Sequence, residues 1–228
     1  MITYHAEVVQ GSDEWLVLRR GLITASEMSL LLTPTLKVAA NDKSRAHIYE
    51  LAAQRISGYT EPHYIGSDML RGHEDEILAR ALYHDKIADV QECGFVTNDK
   101  WGFTIGYSPD GLVGEEGLVE CKSRRQKYQI QTIIENLGAD KTIPDDYVLQ
   151  VQTGLLVTER KWLDLVSYSG GLPMAVIRAH PDQAIQEAIV AAATKAEADI
   201  KVKIDTYATN SRGLLKTERR IEKEMYVP

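Results

Sequence analysis

Between Ile87 and Cys121 the apolar residues of this chain stop recurring at helical spacing and fall instead into short runs that suit strands. The runs are Ala88-Asp89-Val90, Gly94-Phe95-Val96, Gly102-Phe103-Thr104-Ile105, Leu112-Val113 and Leu118-Val119-Glu120-Cys121, with Asn98-Asp99 and Gly114-Glu115-Glu116-Gly117 as turns between them. A meander this short must be covered by other elements, and the chain supplies helical patterns on both sides. Upstream, residues 12–20 predict a short helix capped by Ser12 or Asp13, with Trp15, Leu16 and Leu18 apolar. Thr24-Ala25-Ser26-Glu27 opens a second one running to about Leu32. An amphipathic helix over 43–56 carries Ile48, Leu51, Ala52 and Ile56, and a stronger one over 67–83 carries Met69, Leu70, Ile77, Leu78 and Leu82. Downstream, helical stretches at 125–137 and 145–158 precede two strands, 162–168 and 174–179, joined by Gly170-Gly171. A long helix over 182–207 places Ile185, Ile189, Ala193, Ala196, Ile200 and Ile204 on one face. This order predicts an α/β fold with a mixed central β-sheet flanked by helices, and 228 residues suit a single domain over 1–228.

The formal net charge is −7, which weighs against a nucleic-acid partner unless the basic residues are confined to one channel. One local basic run exists, Lys122-Ser123-Arg124-Arg125-Gln126-Lys127; standing alone it is as compatible with a solvated helix face. Cys93 and Cys121 are the two cysteines, with no Cys-x-x-Cys pair, which argues against a zinc site, an iron–sulfur cluster or a disulfide framework and suits a reducing cytoplasm. No apolar run approaches the roughly 20 residues needed to span a bilayer, and Met1-Ile2-Thr3-Tyr4-His5 has neither a basic leader nor an apolar core, so a cytoplasmic location is expected.

The chemistry concentrates in Ser108-Pro109-Asp110-Gly111-Leu112-Val113, a Gly-rich turn, and Leu118-Val119-Glu120-Cys121-Lys122. A hairpin brings Asp110 and Glu120 to one end of a sheet, and strand alternation puts Glu120 and Lys122 on one face with Cys121 on the other. Two adjacent carboxylates repel, and Mg²⁺ or Mn²⁺, which prefer oxygen ligands, would neutralise them, with the Cys121 backbone carbonyl as a further donor. Lys122 would then orient or deprotonate an attacking water, or stabilise charge on a phosphorane-like transition state. A surface salt-bridge hairpin is the competing explanation for so short a pattern.

Ser108-Pro109-Asp110-Gly111 followed by Glu120-Cys121-Lys122 resembles the core motif of the lambda exonuclease family within the PD-(D/E)xK nucleases. Trp15 to Glu27 resembles that family's W-x-x-x-R-x-G-x-I-T-A-S-E segment, Gly72 to Ala79 its G-x-x-x-E-x-x-A helix, and Tyr147 to Gln152 its Y-x-x-Q-x-Q helix. The resemblance implies a restriction-endonuclease-like core, Asp110 and Glu120 as metal ligands completed by Glu76, and Lys122 as the catalytic lysine. It implies Gln150 and Gln152 as active-site glutamines. Glu74 lies about 200° from Glu76 on a helix, and the spacing to Gly72 favours Glu76. Arg19 and Ser26, with Thr24, resemble a pocket for a 5′-terminal phosphate. Independently, an Arg fork and the free N–H groups of a helix start both favour an anion.

What the resemblance implies about function is an Mg²⁺-dependent 5′→3′ exonuclease with two ions per site, Mn²⁺ being a possible substitute. It would degrade one strand of linear double-stranded DNA from 5′-phosphate ends to mononucleotides and leave a 3′ single strand. It further implies a homotrimeric ring around DNA and a single-strand annealing protein as partner in phage recombination. Arg124, Arg125 and Lys127 would then line the DNA channel. The alternatives are a PD-(D/E)xK endonuclease of restriction or repair type and a catalytically inactive DNA-end-binding protein. His63, His73, His84 and His180 lack zinc spacing and are expected at the surface, with His73 beside the site. Trp15 is expected in the core, the last long helix is expected to pack, and the mixed charges of 216–224 suit a solvated or subunit-contacting tail.

Overall fold

The computed structural model describes residues 1–61, 67–138 and 141–219, the side chains of 67–69 excepted; His63, the Met69 side chain and 220–224 of the charged tail lie outside these. The chain opens with β1 (Ile2–His5), α1 (Asp13–Arg19) and β2 (Ile23–Thr24), then a 3-10 stretch (Ala25–Leu30), α2 (Asp42–Ser57) and α3 (Ser67–Lys86). The strands β3 (Phe95–Asn98), β4 (Ile105–Tyr107), β5 (Gly111–Val113) and β6 (Gly117–Ser123) follow. Next come α4 (Gln126–Gln131) with a π-helical turn (Thr132–Asn136), α5 (Asp145–Thr158), β7 (Trp162–Tyr168), β8 (Ala175–Ala179) and α6 (Gln183–Asn210). Ser12 caps α1 by accepting from the Trp15 N–H, and Asp182 caps α6 by accepting from that of Ile185.

The expected mixed sheet is present, divided among the described residues into two four-stranded sheets in the orders β1-β3-β4-β2 and β5-β6-β7-β8. Each contains one parallel pair, β2 with β4 and β6 with β7. The run 88–90 forms no strand; Gln91 alone bridges to Leu112, each residue's N–H donating to the other's carbonyl at 2.8 Å. Two strands were not foreseen. β1 and β2 are four and two residues long, too short to show an alternation, and Thr24 ends β2 instead of opening a helix.

Alternation along β6 and β7 sends side chains to two cores. Leu118, Leu163 and Leu165 face α5 and α6, meeting Val151, Leu155, Ile189, Ala193 and Ile200. Val119, Cys121 and Val166 face α3, meeting Ala79 and Tyr83. Each large apolar side chain buried is worth about 1.5–3 kcal/mol, so the α5–α6 side, with far more of them, carries most of the apolar stabilisation. The α3 side is held by polar contacts as well. The buried Tyr83 hydroxyl donates to Asp164 Oδ2 at 2.6 Å, and Arg178 forks onto both Asp164 oxygens at 2.8 Å while stacking on Trp162.

The apolar stripe expected to bury α3 does not. Leu70, Ile77, Leu78 and Leu82 are exposed, and the face of α3 turned to the sheet carries Asp75, Glu76, Ala79 and Tyr83. Ala79 and Tyr83, packed on Val119, Cys121 and Val166, hold the helix with this face inward, and the acids lie on the same face. α1 is likewise shallow, with Leu16 and Val17 exposed and no residue fully buried.

Candidate active site

β5 starts directly after Asp110, and its register with β6, Gly111 against Val119, puts Asp110 level with Glu120. Gly111 permits this because β5 passes under Val90: a Cβ at 111 would lie 2.1 Å from Val90 Cγ1. The Asp110 carboxylate accepts from the Cys121 backbone N–H at 2.5 Å, which fixes it across the hairpin. Glu120 is 3% exposed and fully engaged. Its Oε1 accepts from Lys122 Nζ at 2.7 Å and from Gln150 Nε2 at 2.5 Å, and its Oε2 accepts from the Tyr107 hydroxyl at 2.7 Å. Glu120 and Lys122 share a face and Cys121 lies in the opposite core, as alternation requires.

The charges here do not balance. Burial pushes the Asp110 carboxyl well above its ordinary range, and the charge of Glu120 adds to the effect; Lys122 and the Cys121 amide oppose it. Glu76 is raised by burial and by Glu120, against Lys122, His73 and Arg80. Burial alone would lower the Lys122 ammonium, but Glu120, Asp110 and Glu76 together hold it charged far into alkaline pH. Burial and the same carboxylates push the Cys121 thiol up, so it stays a neutral core residue. Three acids thus compete for one ammonium. Glu76 is half-buried within electrostatic reach of the cluster, whereas Glu74 is exposed, so Glu76 is the acid that α3 presents.

Such a donor set fits a hard divalent cation, because all the excess charge is carboxylate oxygen. Among the described residues no three carboxylate, imidazole or thiol groups close into a ligand cluster. Lys122 and Gln150 both donate to Glu120 Oε1.

The two glutamines separate. α5 turns Gln150 towards Glu120, while Gln152, two residues on and about 200° round the helix, points elsewhere. Its amide donates to the His180 carbonyl at 2.8 Å and accepts from the Asp182 N–H at 2.9 Å, tying the start of α6 to α5. The expectation of Gln152 at the site is therefore corrected; it is a buried structural clasp. The basic run also divides. The Arg124 guanidinium lies 5.2 Å from the Tyr128 ring centroid and 5.1 Å from that of Tyr147, and donates to the Tyr147 hydroxyl at 2.6 Å and to Thr132 at 3.4 Å. Arg125 and Lys127 are exposed. Lys127 Nζ also lies 4.6 Å from the Tyr128 ring centroid, so Arg124 and Lys127 flank one phenol, with Arg124 the less exposed of the two.

Arg19 stacks on Trp15 at 4.4 Å and donates to Thr24 Oγ1 at 3.3 Å. Burial lowers its pKa, and the nearby Glu27 charge works against that. Thr24 is buried and donates to Glu27 at 2.5 Å, and Ser26 is exposed with its hydroxyl 3.4 Å from that of Thr24. The helix start expected here is a six-residue 3-10 stretch with no side-chain cap, so the pocket is built by side chains and not by a helix dipole. It opens into a cleft of about 160 Å³ lined by Trp15, Arg19, Arg20, Glu27 and Gln54. Trp15, expected in the core, is only partly buried and belongs to neither core cluster; it forms a wall of the cleft. Its indole N–H donates to Ser108 Oγ at 2.9 Å, and Gln10 donates to the Pro109 carbonyl at 2.7 Å, so Trp15 ties the cleft to the segment that leads into Asp110.

Tyr107 and Arg80 were not anticipated. Tyr107 sits three residues before Asp110 on an inward position of β4, and alternation from Ile105 would have found it. Arg80 reaches the Asp110 carbonyl at 3.4 Å and pairs with Glu92 at 3.0 Å. Nothing in its local sequence distinguishes it.

Comparison with solved structures places this architecture. An alkaline exonuclease from Laribacter hongkongensis, LHK-Exo, superposes with a TM-score of 0.77 at 29% identity, over 90% of this chain and 100% of that one. Its complex with dAMP gives 0.77 at 30% identity over the same shares. A phage related exonuclease from Haemophilus somnus 129PT shares the fold alone, with a TM-score of 0.58 at 11% identity over 81% of this chain and 96% of that one. The fold class is therefore the mixed α/β architecture of these exonuclease structures. Within that class, residues 14–161 match the model of the YqaJ-like viral recombinase domain, and the chain belongs to that family. No curated protein sequence matches significantly. The matched segment contains Arg19, Glu76, Asp110, Glu120, Lys122 and Gln150.

Proposed function

We propose that the protein is a Mg²⁺-dependent exodeoxyribonuclease that digests one strand of linear duplex DNA from a 5′-phosphorylated end. The convergence of Asp110, Glu120, Lys122 and Gln150 on one end of the β5–β6 hairpin carries this reading. Asp110, Glu120, Glu76 and the Cys121 carbonyl would hold Mg²⁺, with Mn²⁺ as substitute and two ions per site. Such ions supply Lewis acidity and a water acidic enough to attack phosphorus at neutral pH. Lys122 stays protonated beside three carboxylates, which supports a role in stabilising charge on the transferring phosphoryl group over one as a base. Tyr107 and Gln150 orient Glu120 from opposite oxygens. Arg19, with Thr24 and Ser26 beside it, receives the terminal phosphate and so fixes where along the strand cleavage falls. The hydrogen bond from Trp15 of the cleft to Ser108, two residues before Asp110, supports release of short products, and LHK-Exo has been solved with dAMP, a deoxynucleoside monophosphate.

The product would be a duplex with a 3′ single strand, a substrate for a single-strand annealing protein in phage-type recombination. The exposed stripe Leu70, Ile77, Leu78 and Leu82 supports assembly with further copies, a homotrimeric ring in this reading, with Arg125 and Lys127 towards the DNA. The decisive assay compares linear duplexes bearing 5′-phosphate or 5′-hydroxyl ends with closed circular duplex, in Mg²⁺. Linear phosphorylated DNA should be consumed to mononucleotides, and Asp110→Ala and Lys122→Ala should abolish this. Cleavage of the closed circle would replace this reading by an endonuclease.

A further inference from the structure

Gly21, between the cleft arginines and β2, is held by side chains from outside its own segment. It is buried with φ +67°, in the left-handed region, and a Cβ there would lie 2.6 Å from Arg55 Cγ. Both polar groups of this residue are taken by the last turns of α2. The Gly21 N–H donates to Gln54 Oε1 at 2.7 Å, and its carbonyl accepts from Arg55 Nε at 2.7 Å. The two remaining arms of the Arg55 guanidinium fork onto Glu197 of α6, at 2.7 and 2.6 Å. Each of the three Arg55 nitrogens therefore has a partner, one backbone carbonyl and one carboxylate in all, and its orientation is set in part by α6.

The residues immediately before Gly21 are Arg19 and Arg20, and both line the cleft, as does Gln54 itself. Arg20 Nε is buried and finds no hydrogen-bond partner among the described residues, a donor left open beside Arg19. A guanidinium fork recognises a phosphate only in a narrow orientation, and a displacement of about 1 Å at such a site costs on the order of a hundredfold in rate. Neither Gln54, Arg55 nor Glu197 belongs to the carboxylate cluster, and Glu197 lies beyond the family-matched segment 14–161.

We propose that Gln54 and Arg55, braced by Glu197, are positioning residues that set Arg19 and Arg20 in the cleft and so determine the preference for a phosphorylated strand end. The inference rests on the assignment of the cleft to the terminal phosphate. Its test is the ratio of digestion rates on 5′-phosphorylated and 5′-hydroxyl linear duplexes, measured for the full chain and for Arg19→Ala, Arg55→Lys and Glu197→Gln. Lysine keeps the charge but has no fork to hold a carbonyl and a carboxylate together. Glu197→Gln keeps the volume and removes the brace. Both should lower the ratio by about tenfold, with the loss falling on the phosphorylated substrate and with melting temperature close to that of the parent. A pair that merely ties α2 to α6 would slow both substrates equally or neither, and that result overturns the inference while Arg19→Ala still erases the preference. If Arg19→Ala leaves the preference intact, the assignment of the cleft falls, and this inference with it.

Discussion

At Asp110 a carboxylate 9% exposed stands level with Glu120, and in the absence of a cation the fold bears the cost of burying that charge, to which the charge of Glu120 adds. Because its folded pKa is raised, the native state binds the proton more tightly than the unfolded chain does. The metal-free protein should therefore gain stability from this group as pH falls through the raised value towards the ordinary carboxylate value, and lose it again as pH rises. Asp110→Asn keeps an oxygen for the Cys121 N–H and removes the charge. In EDTA at pH 8 it should melt higher than the parent by about 2–4 °C, corresponding to about 1 kcal/mol, with the gap closing towards about pH 4. It should also lose the stabilisation that Mg²⁺ gives the parent. Thermal melts with and without Mg²⁺ across pH read both effects, and a lower melting temperature at pH 8 would mean that attraction to Lys122 outweighs burial and repulsion together. The acids and the lysine were visible in the sequence because strand alternation and a Gly-rich turn fix their relative places. Tyr107 and Arg80 act on them from other elements: alternation marks Tyr107 as inward but not its bond to Glu120, and nothing local marks Arg80.

At the level of elements, α5 carries two glutamines of similar appearance and different purpose. Removal of Gln152 takes away the partner of the His180 carbonyl and the Asp182 N–H, at a cost of about 0.5–1.5 kcal/mol for each part-buried bond. Gln152→Ala should therefore lower the denaturation midpoint and leave kcat per folded molecule unchanged. Gln150→Ala should do the reverse, lowering kcat by about a hundredfold, as loss of an oriented donor does, with little change in midpoint. Urea unfolding and single-turnover assays on both variants separate these roles, and equal kinetic losses would return Gln152 to the site. The sequence showed the helix and both residues. It hid their division because the partners of Gln152 lie 28 and 30 residues away. The face of α3 was hidden for a related reason: large apolar residues mark a buried face only when the sheet is what buries them.

For the whole molecule, that outward stripe on α3 is the feature that a single copy leaves unexplained. Leu70, Ile77 and Leu78 are 58%, 46% and 54% exposed, more than scattered surface leucines account for when they lie on one helix. The paired substitution Ile77→Glu/Leu78→Glu should convert an oligomer to monomers in light scattering during size exclusion. A parent protein that already runs as a monomer would remove the ring from the proposal. An acidic exterior, with net charge −7, would then have to be reconciled with DNA by the exposed cations of each copy alone.

The pairing of β6 with β7 sets a limit on where this molecule can be cut. Seven residues of β6, 117–123, lie alongside 162–168, and the family-matched segment stops at residue 161. A fragment trimmed to that segment would strip the strand bearing Glu120 and Lys122 of its neighbour. The result would be a bare, largely apolar row of amides and carbonyls, open to strand addition from another chain. The boundary of sequence similarity is thus not a boundary of the folding unit, and a truncated polypeptide would sooner aggregate than fold.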